Sequence, residues 1–205
     1  MYNKHKRLVF IGAGGHAKVC FEIAKLMGLW DEFLFLDDNQ KNDDFFIQGP
    51  ISSFTKYTNN SDFFVSVGSN IFRKNMFETL KSMDCSIPTL IHPSIILGDK
   101  VTIGFGNVIM AGVIINSATS IGSGAILNTG TIIEHDCKIG DYVHLSPRTT
   151  LCGTVTVGNE TWIGSGTTVI NNISISSNVI IGAGSVVVEN ISGSGKYFGV
   201  PAKKK

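Results

Sequence analysis

His135 stands between two carboxylates, Glu134 and Asp136, and nine residues before a second histidine, His144. An imidazole with an unperturbed pKa of roughly 6.5 takes up a proton near neutral pH, so His135 is a candidate general base. Adjacent residues on a flat strand point to opposite faces, so a pairing of His135 with Asp136 requires the chain to turn between them. Glu134 is the alternative partner, and whichever carboxylate is not used is a surface acid. The plain alternative for His135 is a corner histidine that hydrogen-bonds a neighbour. The residues alone leave the two readings level.

A second cluster lies near the N-terminus. Gly12-Ala-Gly-Gly15 falls between a strand-like run, Arg7–Ile11, and a helix-like run, Ala17–Met27. Backbone N–H groups at such a helix start hold anions, here the diphosphate of a nucleotide, with Gly14 and Gly15 as the contacts. Ala17 stands where the third glycine of a full GxGxxG fingerprint belongs, and no second half of a dinucleotide-binding fold follows, which disfavours hydride chemistry. Asp37 and Asp38 end the second strand, where a carboxylate binds a ribose hydroxyl or a base N–H; solvated loop acids are the alternative. His16 and Gly68 border the same crevice. The five histidines and four cysteines (Cys20, Cys85, Cys137, Cys152) show no metal-ligand spacing and no paired framework, so the expectation is no metal and free thiols in a reducing compartment.

Two architectures must position these groups. Eleven of the 13 phenylalanines precede residue 90, and 17 of the 23 glycines follow it. The first half alternates strands (7–11, 33–36, 63–67, with another near 87–91) and helices (17–27 and about 71–83). That pattern predicts a Rossmann-like parallel α/β sheet over residues 1–90. The second half, 91–205, carries a six-residue repeat. From Ile95, sixteen hexads run without a gap, and the third residue of every one is aliphatic, from Leu97 and Ile103 to Ile181 and Val187. Such a period fits a triangular coil in which each hexad forms one face and turns one aliphatic side chain to the axis. Three hexads make an 18-residue coil. Glycines at the fourth hexad position (Gly98, Gly104, Gly122, Gly140, Gly158, Gly164, Gly182) suit corners with unusual backbone angles.

Coil arithmetic then constrains the site. His144 is half a coil from His135, so the two side chains sit on different faces of one prism and meet only if a neighbouring subunit supplies one of them. Gly153 is one full coil after His135. It is placed to offer a backbone N–H to a developing oxyanion, or it is simply a corner glycine. Ser165 and Gly166 are donor-contact candidates on weaker grounds. Trp162 is expected on the outer face or at a subunit contact, and the Lys203–Lys205 tail as a solvated end.

A net charge of +1 and the absence of a long basic run argue against nucleic acid as a partner. Charged residues at 16% and a mean hydropathy of +0.21 exclude intrinsic disorder. No apolar run approaches a membrane span or the apolar region of a signal peptide, so a cytoplasmic protein is expected.

Four motifs in order, Gly12-Ala-Gly-Gly-His-Ala-Lys18, Asp37-Asp38-Asn39, Glu134-His-Asp-Cys137 and Gly199-Val-Pro-Ala-Lys203, sit on this hexapeptide frame across nearly the whole chain. Together they resemble the NeuD/PglD family of sugar acetyltransferases. The resemblance implies a left-handed β-helix, a homotrimer with inter-subunit sites, acetyl-CoA as donor and a nucleotide-sugar acceptor bound partly by the N-terminal domain. In the PglD branch that acceptor is a UDP-4-amino-4,6-dideoxy sugar. It also implies that His135 is the base, that Asp136 raises its basicity (some members carry Glu there), and that His144 contacts the acetyl end of the donor. The expected reaction is N-acetylation of the 4-amino group. O-acetylation of a sialic acid-type sugar is the nearest rival. A non-catalytic trimeric scaffold and a zinc-dependent β-helix hydrolase are rivals of other classes.

Overall fold

The computed structural model describes residues 7–205 and divides into two compact units between Ile91 and His92. In the first, four parallel strands, β1 (Arg7–Ile11), β2 (Glu32–Leu36), β3 (Ile47–Gly49) and β4 (Ser61–Val65), lie in the order β3-β2-β1-β4. Inner strand β1 is deeply buried, with Leu8, Val9, Phe10 and Ile11 fully inaccessible. Helix α1 (Gly15–Met27) buries the small and aliphatic stripe Ala17, Cys20, Ile23 and Ala24, and ends on Gly28 in the left-handed conformation (φ 62°). The phenylalanine excess has a structural use. Phe10 stacks on Phe35 (5.0 Å), Phe35 on Phe45 (3.9 Å), and Phe21 of α1 meets Phe35 edge-on (5.5 Å). Helix α2 (Asn70–Ser82) is capped by Ser69, whose hydroxyl accepts the Phe72 N–H, and buries Arg73, Met76, Phe77 and Leu80. The strand expected over 87–91 is shorter and is not part of this sheet: only Leu90–Ile91 is extended, and Ser86 makes a single bridge to Asp62.

The second unit is a parallel β-helix. Two-residue strands recur every six residues and pair one coil on, 18 residues away, as in Ile114↔Ile132↔Thr150↔Thr168 and Ser120↔Lys138↔Thr156. The third hexad residues stack along the axis. From Ile109 to Val187 none exceeds 4% exposure, whereas Leu97, on the first coil, is 47% exposed. Gly195–Phe198 and the antiparallel Lys203–Lys204 strand complete the last coil.

The corners differ from the expectation. None of the fourth-position glycines has a positive φ. The left-handed residues fall at the sixth hexad position instead, at Lys100, Gly106, Gly112, Ala118 and every sixth residue on to Gly184. Fourth-position glycines are required by close stacking: a methyl carbon built on Gly98 would lie 2.6 Å from the Ser117 nitrogen, and one on Gly158 2.7 Å from the Ser176 carbonyl carbon. There the next coil is too near for any side chain.

Candidate active site

Asp136 occupies a sixth-position corner, with φ 60°. Aspartate tolerates this left-handed backbone better than most residues, and the turn it makes folds its carboxylate back along the chain. Oδ2 lies 2.8 Å from Nδ1 of His135, with both side chains more than half exposed. An Nδ1–H donated to the carboxylate leaves the Nε2 lone pair to accept a proton. Glu134 faces elsewhere: its Oε2 accepts from Nδ2 of Asn116 at 2.9 Å. Of the two carboxylates flanking His135, Asp136 is therefore the one in contact.

Gly153 lies one coil on, directly against the imidazole, and Thr154 N–H donates to the His135 carbonyl (2.9 Å). Cys137 is buried beside this corner. Its thiol donates to the Cys152 carbonyl (3.2 Å), and burial pushes its pKa up.

His144 is on another face. The His135 corner joins the strand Ile132–Ile133 to Lys138–Ile139, while His144–Leu145 belongs to the third sheet of the helix. Within one chain the two histidines do not line one site. The His144 ring stacks on Trp162, nearly parallel to it (5.6 Å, 4°), and its Nε2 lies 3.4 Å from Nδ2 of Asn128. Trp162 is 47% exposed and donates its indole N–H to Ser146 Oγ (2.8 Å). His144, Trp162, Ile180 and Lys196 form one outward ladder along the coil axis. Ser165 and Gly166 (φ 66°) form the corner that follows Trp162–Ile163, where Gly166 N–H donates to the Pro147 carbonyl.

In the first unit, β1 lies between β2 and β4, and the chain turns outward to opposite sides from it. The strand ends on either side of that switch point form a crevice where ligands of open α/β sheets bind. Gly12 (φ 98°) packs so tightly that a methyl carbon there would lie 2.5 Å from Val67 Cγ2. Gly14 and Gly15 are exposed and face open space. Gly14 caps α1 without a side-chain bond, and no acid occupies the first turn, so no carboxylate offsets the positive end of the helix dipole.

Asp37 ties this turn in place. Its Oδ2 accepts from Ala13 N–H (2.7 Å) and its Oδ1 from Asn39 N–H (2.8 Å). Asp38 Oδ1 accepts from Ile51 N–H (3.0 Å), at the start of a short 3-10 helix, Ile51–Tyr57. Both acids thus make loop contacts of their own. His16 is the second residue of α1, 3.6 Å from Cys20 Sγ; burial, and then the charge of Arg73, lower its pKa to about 4. The Gly68 carbonyl accepts from Arg73 Nη1 (3.2 Å).

Sequence reasoning missed Arg73. It is 2% exposed and braces the crevice loop through the Val67 and Gly68 carbonyls and Asn70 Oδ1. A signal existed: Arg73 falls in register with Met76, Phe77 and Leu80 on the apolar stripe of α2. Asn116 and Asn128, the partners of Glu134 and His144, carried no signal in the repeat. Among the described residues, no group of three or more His, Cys, Asp or Glu is placed to hold a metal ion. No helix among them is long and apolar enough to cross a membrane.

Residues 7–80 match the family of the PglD N-terminal domain. Over 112 residues the chain is 39% identical to UDP-N-acetylbacillosamine N-acetyltransferase of Bacillus subtilis (strain 168), a match covering 52% of each chain. It spans about half the length of that curated relative. Among solved structures, the acetyltransferase domain of PglB from Neisseria gonorrhoeae FA1090 superposes with a TM-score of 0.93 at 33% identity, covering 98% of this chain and 100% of that one. PerB from Caulobacter crescentus, in complex with CoA and GDP-perosamine, superposes with a TM-score of 0.89 at 34% identity, over 97% and 96% of the two chains. With its α/β unit, its hexapeptide β-helix and a third of its residues shared with such a domain along its length, this chain belongs to the NeuD/PglD family of sugar acetyltransferases.

Proposed function

We propose that the chain transfers the acetyl group of acetyl-CoA to the 4-amino group of a nucleotide-linked 4-amino-4,6-dideoxy sugar, UDP-linked in the first instance. The observation that carries this reading is the His135–Asp136 pair, Nδ1 to Oδ2 at 2.8 Å, with no further carboxylate needed to orient the ring. Relatives support the substrate class. They include an N-acetyltransferase named for UDP-N-acetylbacillosamine, a structure holding acetyl coenzyme A and another holding CoA with GDP-perosamine. Their names favour N-acetylation over the O-acetyl alternative.

In this mechanism the acceptor amine loses its proton to His135 Nε2 as it attacks the thioester carbonyl. Asp136 accepts the Nδ1–H and stabilises the imidazolium that forms. Backbone N–H groups hold the tetrahedral oxyanion, which collapses to the amide and releases CoA as the thiolate. The donor runs along the ladder His144, Trp162, Ile180 and Lys196, with its acetyl end at His144; Gly153, Ser165 and Gly166 are further donor contacts. Gly14, Gly15, His16, Asp37, Asp38 and Gly68 form the acceptor side, where the N-terminal unit takes the nucleotide. Because His135 and His144 lie on different faces, the complete site joins two subunits of a homotrimer. The reading puts the enzyme in the cytoplasm, where its donor and acceptor are made.

The test is thiol release from acetyl-CoA with UDP-4-amino-4,6-dideoxy-N-acetylglucosamine, beside free sialic acid, in wild type and His135→Ala. Release with the nucleotide sugar alone, lost in the variant, is the expected result. Release with sialic acid alone would move the enzyme to O-acetylation.

A further inference from the structure

We infer that Gly153 is a positioning residue for the base: the space left by its missing side chain is the socket in which the His135 imidazole lies. The inference rests on the reading of His135 as base and goes beyond a donor contact by the Gly153 backbone. Three observations carry it.

Gly153 breaks the pattern of the repeat. The other glycines of residues 95–190 fall at the fourth hexad position, where the next coil crowds them, or at the sixth, where φ is positive. Gly153 alone occupies a fifth position, and it is not among the residues with positive φ. Neither backbone rule of the coil explains it.

What a side chain at 153 would meet is the catalytic ring. A methyl carbon built there lies 2.6 Å from His135 Cε1, 2.7 Å from Nε2 and 3.3 Å from Nδ1, and no other atom is as near. All three are inside van der Waals contact, so the methyl and the observed ring position exclude each other.

The backbone has no room to yield instead. Thr154 N–H donates to the His135 carbonyl (2.9 Å), tying the two coils at this corner, and Asn172 N–H donates to the Gly153 carbonyl (3.0 Å) from the following coil. The ring is the movable partner, since it is more than half exposed and held at its edge by Asp136. An alanine at 153 therefore swings the imidazole off Asp136 and away from the proton it must accept.

The test is Gly153→Ala, alone and with His135→Ala, read by kinetics, by folding and by the imidazole ¹⁵N shifts of His135. The single variant is expected to lose about 10²-fold in kcat, the scale set by misplacing a catalytic group by an ångström, with both KM values within about twofold. Its ¹⁵N shifts lose the signature of an Nδ1–H donated to a carboxylate. In the His135→Ala background the same substitution has no further effect on the residual rate. A raised KM for acetyl-CoA at unchanged kcat would leave Gly153 as a donor contact and nothing more, and so overturn the socket, as would wild-type kinetics or an additive loss in the double variant. If Gly153→Ala fails to fold but the double variant folds, the clash with the ring is established by stability instead. If neither folds, the coil itself requires the glycine and the inference fails. The folding and ¹⁵N readouts need no substrate, so they judge the socket even if the wild type turns over none of the acceptors offered.

Discussion

In the proposed mechanism Asp136 serves the base through its backbone as much as through its carboxylate. A residue at φ 60° is what carries Oδ2 round to Nδ1 of His135, and asparagine tolerates that conformation as well as aspartate does. Asp136→Asn should therefore leave stability unchanged while offering the ring an amide in place of a charge. We expect kcat to fall by roughly 10-fold or more, because the amide neither stabilises the imidazolium nor fixes the ring tautomer as the carboxylate does. His135→Ala should lose about 10²- to 10⁴-fold, the usual contribution of a positioned base. Equal activity of Asp136→Asn and wild type in steady-state turnover would remove Asp136 from the mechanism.

His16 makes a different prediction. Its folded pKa of about 4 lies below the 6.5 of the unfolded chain, first because it is buried and then because of Arg73. Between those values the unfolded chain binds a proton that the folded chain does not, so this contribution is present above pH 6.5 and is lost as pH falls towards 4. The loss amounts to up to about 3 kcal/mol. Denaturant unfolding of wild type and His16→Gln from pH 7.5 to 4.5 should show the steeper decline in wild type; parallel curves would disprove it.

At the scale of the element, two kinds of glycine build the coil for different reasons, and they should respond to substitution to different degrees. Gly158→Ala drives a methyl into the Ser176–Ser177 backbone, which cannot move without parting two coils, and should cost on the order of 1–3 kcal/mol. Gly184 (φ 67°) has open space where a side chain would go, so Gly184→Asn should cost less than about 1 kcal/mol. Chemical denaturation measures both, and the reverse order would refute this account of the corners.

The same corners show what the sequence made legible. The aliphatic third position revealed the coil, its register and the separation of His135 from His144, because axial packing admits only apolar groups there. The left-handed sixth position stayed hidden, because Lys100, Tyr142, Arg148 and Glu160 adopt it as glycine and asparagine do. The coil's backbone pairing imposes that conformation whatever the side chain, so composition does not report it. In the first unit the glycine turn and the strand-end acids were visible. That Asp37 spends its oxygens on Ala13 and Asn39 was not, because those bonds depend on a loop path with no repeat to reveal it. Arg73 was overlooked for the opposite reason, since a charged residue in an apolar stripe is ordinarily read as a solvated one.

At the scale of the molecule, a β-helix is stabilised coil against coil, so a side chain reaches the adjacent coils and the groups of its own face, and not those across the axis. Hydrogen bonds from one coil to the next, Asp136 N–H to Ser117 O and Thr154 N–H to His135 O, fix His135 on its corner. The ladder His144↔Trp162↔Ile180 fixes the other histidine on a separate sheet. No rotation of either side chain brings the two together through a core filled by Leu127, Ile133, Ile139 and Leu145, each no more than 3% exposed. A reaction that uses both therefore requires a second copy of the chain, and it should show complementation. His135→Ala and His144→Ala homo-oligomers each lack one histidine in every site. When the two are unfolded together at equal amounts and refolded, random assembly gives each interface an even chance of either histidine from each side, so about a quarter of the sites should be complete. Acetyl transfer should return to about that fraction of the wild-type rate, and only after co-refolding, not after mixing the assembled variants. A His144→Ala homo-oligomer as active as wild type would mean that His144 has no part in the chemistry at His135, and no recovery on co-refolding two inactive variants would overturn the shared site.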